Sequence, residues 1–258
     1  MSLALMLSKH LLHSLNHTRK RLDVKQQASA GDYIFPPQPQ PSLPIQGSAR
    51  LLPVHRIYCV GRNYAEHAIE MGHDPKREPP FFFQKNPDTL VPDGGRFPYP
   101  GRSNDVHHEF ELVVALGQGG KDIKTGDALD HIFGYAVGLD MTRRDLQGEV
   151  KKLGRPWEVG KAFEHAAPCS AVHPAAEIGH PAKGAIWLDV NGERRQSGDL
   201  AQLIWSIPEV ITHLSALFEL KPGDLIFTGT PAGVGPVKRG DRLHGAVEGV
   251  GELRIEVV

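Results

Sequence analysis

The chain has 258 residues, with 29 lysines and arginines against 30 aspartates and glutamates and a formal charge of −1. That balance excludes the basic excess needed for nucleic acid or an anionic membrane, and no apolar run approaches the ~20 residues of a spanning helix. Two cysteines exclude a disulfide framework and point to a reducing compartment.

Residues 1–31 are basic and poor in acids: Lys9, Arg19, Lys20 and Arg21 precede the first acidic residue, Asp23. They read as a disordered extension, which makes the cytoplasm the expected location, or as a mitochondrial targeting segment. Residues 32–54 form a Pro-rich arm, with FPPQPQPSLP from Phe35 to Pro44 restricted to extended backbone. The catalytic domain is expected over residues 55–258. Ile57 to Gly61 is a short buried strand, followed by a helix with Asn63 as N-cap and Glu66 as its capping partner. Phe81 to Phe83 is a second buried strand, and Glu109 to Leu116 and Ile132 to Asp140 are two more. Asn191-Gly192 marks a hairpin turn. Ser206-Ile207-Pro208-Glu209 opens a helix with the apolar stripe Val210/Ile211, Leu214, Leu217/Phe218. Strand segments at Leu225 to Thr228, Arg242 to Val247 and Glu252 to Val258 complete a β-rich α+β domain.

The strongest chemical signal is His107-His108-Glu109-Phe110-Glu111. Side chains alternate along a strand, so Glu109 and Glu111 share a face with Val113 and Ala115, opposite Phe110, Leu112 and Val114. Two carboxylates on a part-apolar face repel each other unless a cation lies between them, and all-oxygen ligation suits a hard divalent ion. A solvated pair at a sheet edge is the other reading. His107 is placed to support the pair, and His108 is structural. Asp140 ends an apolar strand. A helix starting directly after it would put Asp140, Arg144 and Gln147 on one face, a natural anion site. Lys161 lies among small and apolar neighbours and is either a buried cation or a surface lysine. His67 and Glu70, three apart, can pair as a base oriented by a carboxylate, or form a surface pair. Cys59 and Cys169 lack activating neighbours. GTPAGVGP, Gly229 to Pro236, reads as a tight ligand-contacting loop.

Taken in order, CVGRNYAEHAIEM, HHEFELVVALG, GYAVGLDMTRRDLQ, GRPWEVGKAFE, VNGERRQSGDL, WSIPEVI and PGDLIFTGTPAGVGP resemble the fumarylacetoacetate hydrolase superfamily. FPPQPQPSLP, EPPFFFQK and TRRDLQGEVKKLGRPWEVGKAF are similar to its acylpyruvase branch, in particular to members that cleave fumarylpyruvate in gentisate-type aromatic degradation. The resemblance implies a mixed β-sandwich roll, a homodimer and one Mg²⁺ or Mn²⁺ per subunit held by Glu109, Glu111 and Asp140. It assigns His67 and Glu70 to a catalytic lid pair and Lys161 to catalysis. Arg144, Gln147 and Thr230 fall at the substrate, and Arg62 and Lys85 match basic positions near it. The expected reaction is hydrolysis of the C–C bond of a small 2,4-dioxo acid, fumarylpyruvate giving fumarate and pyruvate. Oxaloacetate decarboxylation and 2-hydroxymuconate-type isomerisation use the same metal–enolate chemistry and stand as alternatives. A cation for a distal carboxylate would come from Arg62, Arg143 or Lys85.

Overall fold

The computed structural model describes residues 33–65 and 78–258. Its contacts divide the chain after Pro39, and the second unit, Gln40–Val258, holds the sheets and their cores.

The middle layer is a six-stranded sheet in the order His173–Pro174, Ile132–Leu139, Phe110–Leu116, Leu225–Phe227, Ile57–Gly61, Phe81–Lys85. All its pairs are antiparallel except Leu225–Phe227 with Ile57–Gly61. A five-stranded sheet, Glu193–Asp199, Ala185–Val190, Arg242–Val247, Gly251–Val257 and Arg96–Phe97, packs on one face. Phe110, Leu112, Val114, Tyr135 and Val137 from the first sheet join Ile186, Leu188, Leu243 and Leu253 from the second in the main core. On the opposite face Ile57, Cys59, Val113, Ala115 and Phe227 meet Leu43 and Leu52 of the hairpin Ser42–Pro44/Leu51–Pro53, and Val54 just after it. With cover on both sides, every residue of Phe110–Leu116 is buried, and alternation sends successive side chains to different cores. The fold is a strand-rich α+β structure.

The hairpin turn is made as expected, with positive φ at both Asn191 (55°) and Gly192 (83°), the signature of a type I′ turn. Ser206 and Glu209 form the anticipated capping box on the helix Ile207–Leu217. Two sequence expectations are corrected. Leu217 is 65% exposed, because the helix ends there and its last turn projects beyond Val210, Ile211 and Leu214. Phe81–Phe83 is only half-buried, since that strand lies at the sheet edge. The Asn63 carboxamide reaches across the chain, accepting from Trp205 N–H at 2.7 Å and donating to the Trp205 and Thr228 carbonyls at 3.0 and 2.8 Å. Glu66, its expected capping partner, lies outside the described residues. Both thiols are buried, and burial pushes Cys169 up to about 12, which keeps it protonated and unreactive.

Candidate active site

Strand pairing assembles the acidic cluster. Phe110 pairs with Leu139, so the residues just outside, Glu109 and Asp140, lie side by side, linked by Asp140 N–H to Glu109 C=O at 2.8 Å. Glu111 shares the Glu109 face two residues on. Ligand oxygens of Glu109, Glu111 and Asp140 all fall within 4.8 Å of one another, and all three residues are buried. Burial, followed by the charges of Asp140 and Glu109, holds the Glu111 carboxyl well above the usual carboxylate range. One Glu111 oxygen accepts from Gly229 N–H at 2.7 Å. Gly229 has φ of +102°, and a Cβ there would stand 2.7 Å from Asn63 Cβ, so the loop takes this course only with glycine.

Cations surround the trio. Lys161, 2% exposed, donates to Glu109 Oε2 at 2.9 Å, Asp140 Oδ2 at 2.6 Å and Thr142 Oγ1 at 2.7 Å. Burial works against its ammonium, but Asp140 and Glu109 outweigh that and hold its pKa above the ordinary lysine value. Arg144 bonds Glu109 Oε1 at 2.5 Å and Gln147 Oε1 at 2.7 Å. The helix carrying both, Arg144–Lys152, begins four residues after Asp140, because Thr142–Arg143 pairs as a strand with Val106–His107. Arg144 and Gln147 therefore share a helix face as expected, but Asp140 joins the same cavity from a strand end. His107 supports the edge, with Nε2 at 2.9 Å from Asp105 and Nδ1 facing Arg144.

Among the described residues the donor set fits a hard divalent cation: three carboxylates, no nitrogen or sulfur, and one buried oxygen, Asp140 Oδ1, that makes no well-directed hydrogen bond. Around the trio a cavity is lined by Arg62, Phe81, Phe83, Arg144, Gln147, Lys151, Trp157, Lys161, Gly229 and Thr230, among others.

Residues 56–258 match the family described as fumarylacetoacetate (FAA) hydrolase C-terminal. The chain belongs to that family. A fumarylpyruvate hydrolase of Ralstonia sp is 46% identical over 184 residues, which span 71% of this chain and 95% of that protein. The mitochondrial oxaloacetate tautomerase FAHD1 of Mus musculus is 44% identical over 201 residues, 78% of this chain and 90% of that protein. A crystal structure of fumarylpyruvate hydrolase from Pseudomonas aeruginosa in complex with Mn²⁺ and pyruvate superposes with a TM-score of 0.86 at 55% identity, covering 88% of this chain and 99% of that one.

Within this FAA hydrolase fold, Arg62, Glu109, Glu111, Asp140, Arg144, Gln147, Lys161 and Thr230 meet in the one cavity. His67 and Glu70 lie outside the described residues. Lys85, expected beside the substrate, does not line the cavity. It sits behind Asp140, with Nζ 2.7 Å from Oδ1 and hydrogen bonds to the carbonyls of Met141 and Lys161. Thr230 lines the cavity with its hydroxyl engaged inside the protein. Its single donor is engaged by Phe110 C=O at 2.8 Å while it accepts from Gln196 Nε2 at 2.7 Å, so it anchors the loop and has no proton for a substrate carboxylate. The sequence reading missed Lys151, although Arg144, Gln147 and Lys151 follow helical spacing on one face. It also missed Gln196, for which no local pattern signals a role.

Proposed function

We propose that the protein hydrolyses 3-acylpyruvates, with fumarylpyruvate giving fumarate and pyruvate. The observation that carries this reading is the meeting of Glu109, Glu111 and Asp140 with Lys161 and the Arg144–Gln147 pair in one cavity. The similarity to an enzyme crystallised with Mn²⁺ and pyruvate supports both the cation, Mg²⁺ or Mn²⁺, and the pyruvate end of the substrate. When bound by the three carboxylates, the cation supplies Lewis-acid charge to the 2-oxo acid end of the substrate.

The chain's own groups account for the rest. Arg144 is held by Glu109 and Gln147 and orients the α-carboxylate. Lys161 stays charged in its buried setting and faces negative charge developing on the C4 carbonyl oxygen. His67, oriented by Glu70, takes a proton from water, and the hydroxide adds to C4. The C3–C4 bond then breaks, its electron pair passing to the enolate of pyruvate, and a proton returned to C3 completes pyruvate. One water is consumed, and fumarate leaves with its oxygen.

The test uses purified protein loaded with Mg²⁺. Loss of the diketone ultraviolet absorbance should accompany equimolar pyruvate and fumarate. Absence of pyruvate from both fumarylpyruvate and acetylpyruvate overturns the reading. The mouse relative's name supports a second reading, keto–enol interconversion of oxaloacetate. It requires only proton transfer at C3, and an oxaloacetate assay run in parallel separates the two.

A further inference from the structure

Resting on the acylpyruvate reading, we propose that Arg62 and Lys151 form a subsite for a second, distal carboxylate, which makes dicarboxylic acylpyruvates with a flat unsaturated acyl chain the favoured substrates. The cavity has two chemically different ends. Among the described residues its carboxylates, Glu109, Glu111 and Asp140, gather at the inner end, where the ion pairs of Glu109 and Asp140 run to Lys85, Lys161 and Arg144. Arg62 and Lys151 are, among the described residues, the two further cations on its wall.

Aromatic rings join these ends. Lys161 Nζ lies 5.0 Å from the Phe83 ring, Phe83 lies 5.6 Å from Trp157, Trp157 lies 5.2 Å from Phe81, and the Arg62 guanidinium lies 5.3 Å from Phe81. The same strip of Arg62, Phe81, Phe83 and Trp157 continues into an adjoining groove, where Arg155 and Glu158 are its other charged residues. A planar fumaroyl chain leaving the metal trio lies along such a strip, and its terminal carboxylate then meets Arg62. An acetyl group leaves the strip uncovered.

Lys151 approaches from the helix. It lies one turn beyond Gln147 and two beyond Arg144, and burial followed by the charges of Arg62 and Arg144 lowers its pKa. The other distal-carboxylate candidates point elsewhere: Lys85 stands against Asp140, and the Arg143 guanidinium stacks 4.3 Å from the Phe163 ring.

The experiment compares wild type with Arg62→Asn and Lys151→Gln, using fumarylpyruvate and acetylpyruvate. Asn tolerates the positive φ of 58° at position 62, so the turn survives loss of the charge. Each variant should lower kcat/KM for fumarylpyruvate roughly 10- to 100-fold, mainly through KM, and for acetylpyruvate by less than about threefold. Calorimetric titration gives a readout independent of turnover: fumarate should bind more weakly to both variants, while crotonate, which lacks the second carboxylate, should shift little. Equal losses on both substrates, or unaltered fumarate binding, overturn the subsite. Wild type that cleaves acetylpyruvate but rejects fumarylpyruvate also overturns it. Wild type that cleaves neither shows instead that the acylpyruvate reading has failed, and the subsite falls with it.

Discussion

Lys85 Nζ stands 2.7 Å from Asp140 Oδ1, with both side chains at most 1% exposed. A lysine in that position balances the acidic cluster from behind and leaves the substrate to other cations. Lys85→Met should therefore cost about 3–5 kcal/mol of stability, since it strips a buried carboxylate of one partner. Urea unfolding measures it. A variant of wild-type stability with only KM raised would return Lys85 to the substrate.

Glu111 carries the sign of a carboxyl that resists ionisation. Between its ordinary value of 4.5 and its raised value in the fold, the native chain binds more protons than the unfolded chain. Without a divalent cation, stability should then fall as pH rises from 4.5. Glu111→Gln removes that decline and makes the metal-free protein more stable near neutrality. Mg²⁺ or Mn²⁺ should raise the Tm of wild type and leave the variant unmoved. A metal-induced shift of equal size in both proteins would remove Glu111 from the ligand set.

The metal trio was legible because it rests on local rules. Alternation along a strand aligns Glu109 with Glu111, and a charged residue at the end of an apolar strand marks Asp140. Their approach to within bonding reach of one cation depends on the register of Phe110 with Leu139, which local pattern does not specify. Arg144 and Gln147 were legible from helical spacing, although the intervening Thr142–Arg143 strand means that Asp140 joins the same cavity from a strand end. Lys85 was not legible as a buried counter-charge, because its surroundings come from Asp140, Met141 and Lys161, all more than fifty residues away. Gln196 escaped for the same reason: its partners lie in other strands and in the Thr230 loop.

The proposed role of His67 separates catalysis from metal binding. The proposed ligands are the carboxylates of Glu109, Glu111 and Asp140, and the proposed task of His67 is to take a proton from water, so His67→Ala should keep divalent-cation affinity within about threefold of wild type by calorimetry. Loss of the base should lower kcat/KM for fumarylpyruvate by about 10²–10⁴-fold. Metal loss in this variant would overturn the division of roles.

His108 ties the acidic strand to Gln196. Its Nδ1 lies 3.0 Å from Gln196 Oε1, which also accepts from Phe110 N–H at 3.0 Å, while Gln196 Nε2 donates to Thr230 and Pro231. An amide oxygen cannot donate, so Nδ1 carries a proton. Burial lowers the His108 pKa from 6.5 to about 4. The unfolded chain therefore binds the extra proton first, and stability present above pH 6.5 should be lost as pH falls toward 4. A displacement of this size corresponds to ~3 kcal/mol across that window. His108→Asn keeps a donor for Gln196 and removes the titration. Its urea midpoint should trail wild type at neutral pH, with the gap closing as pH falls. Midpoints that stay parallel throughout would show that another group carries the acid sensitivity.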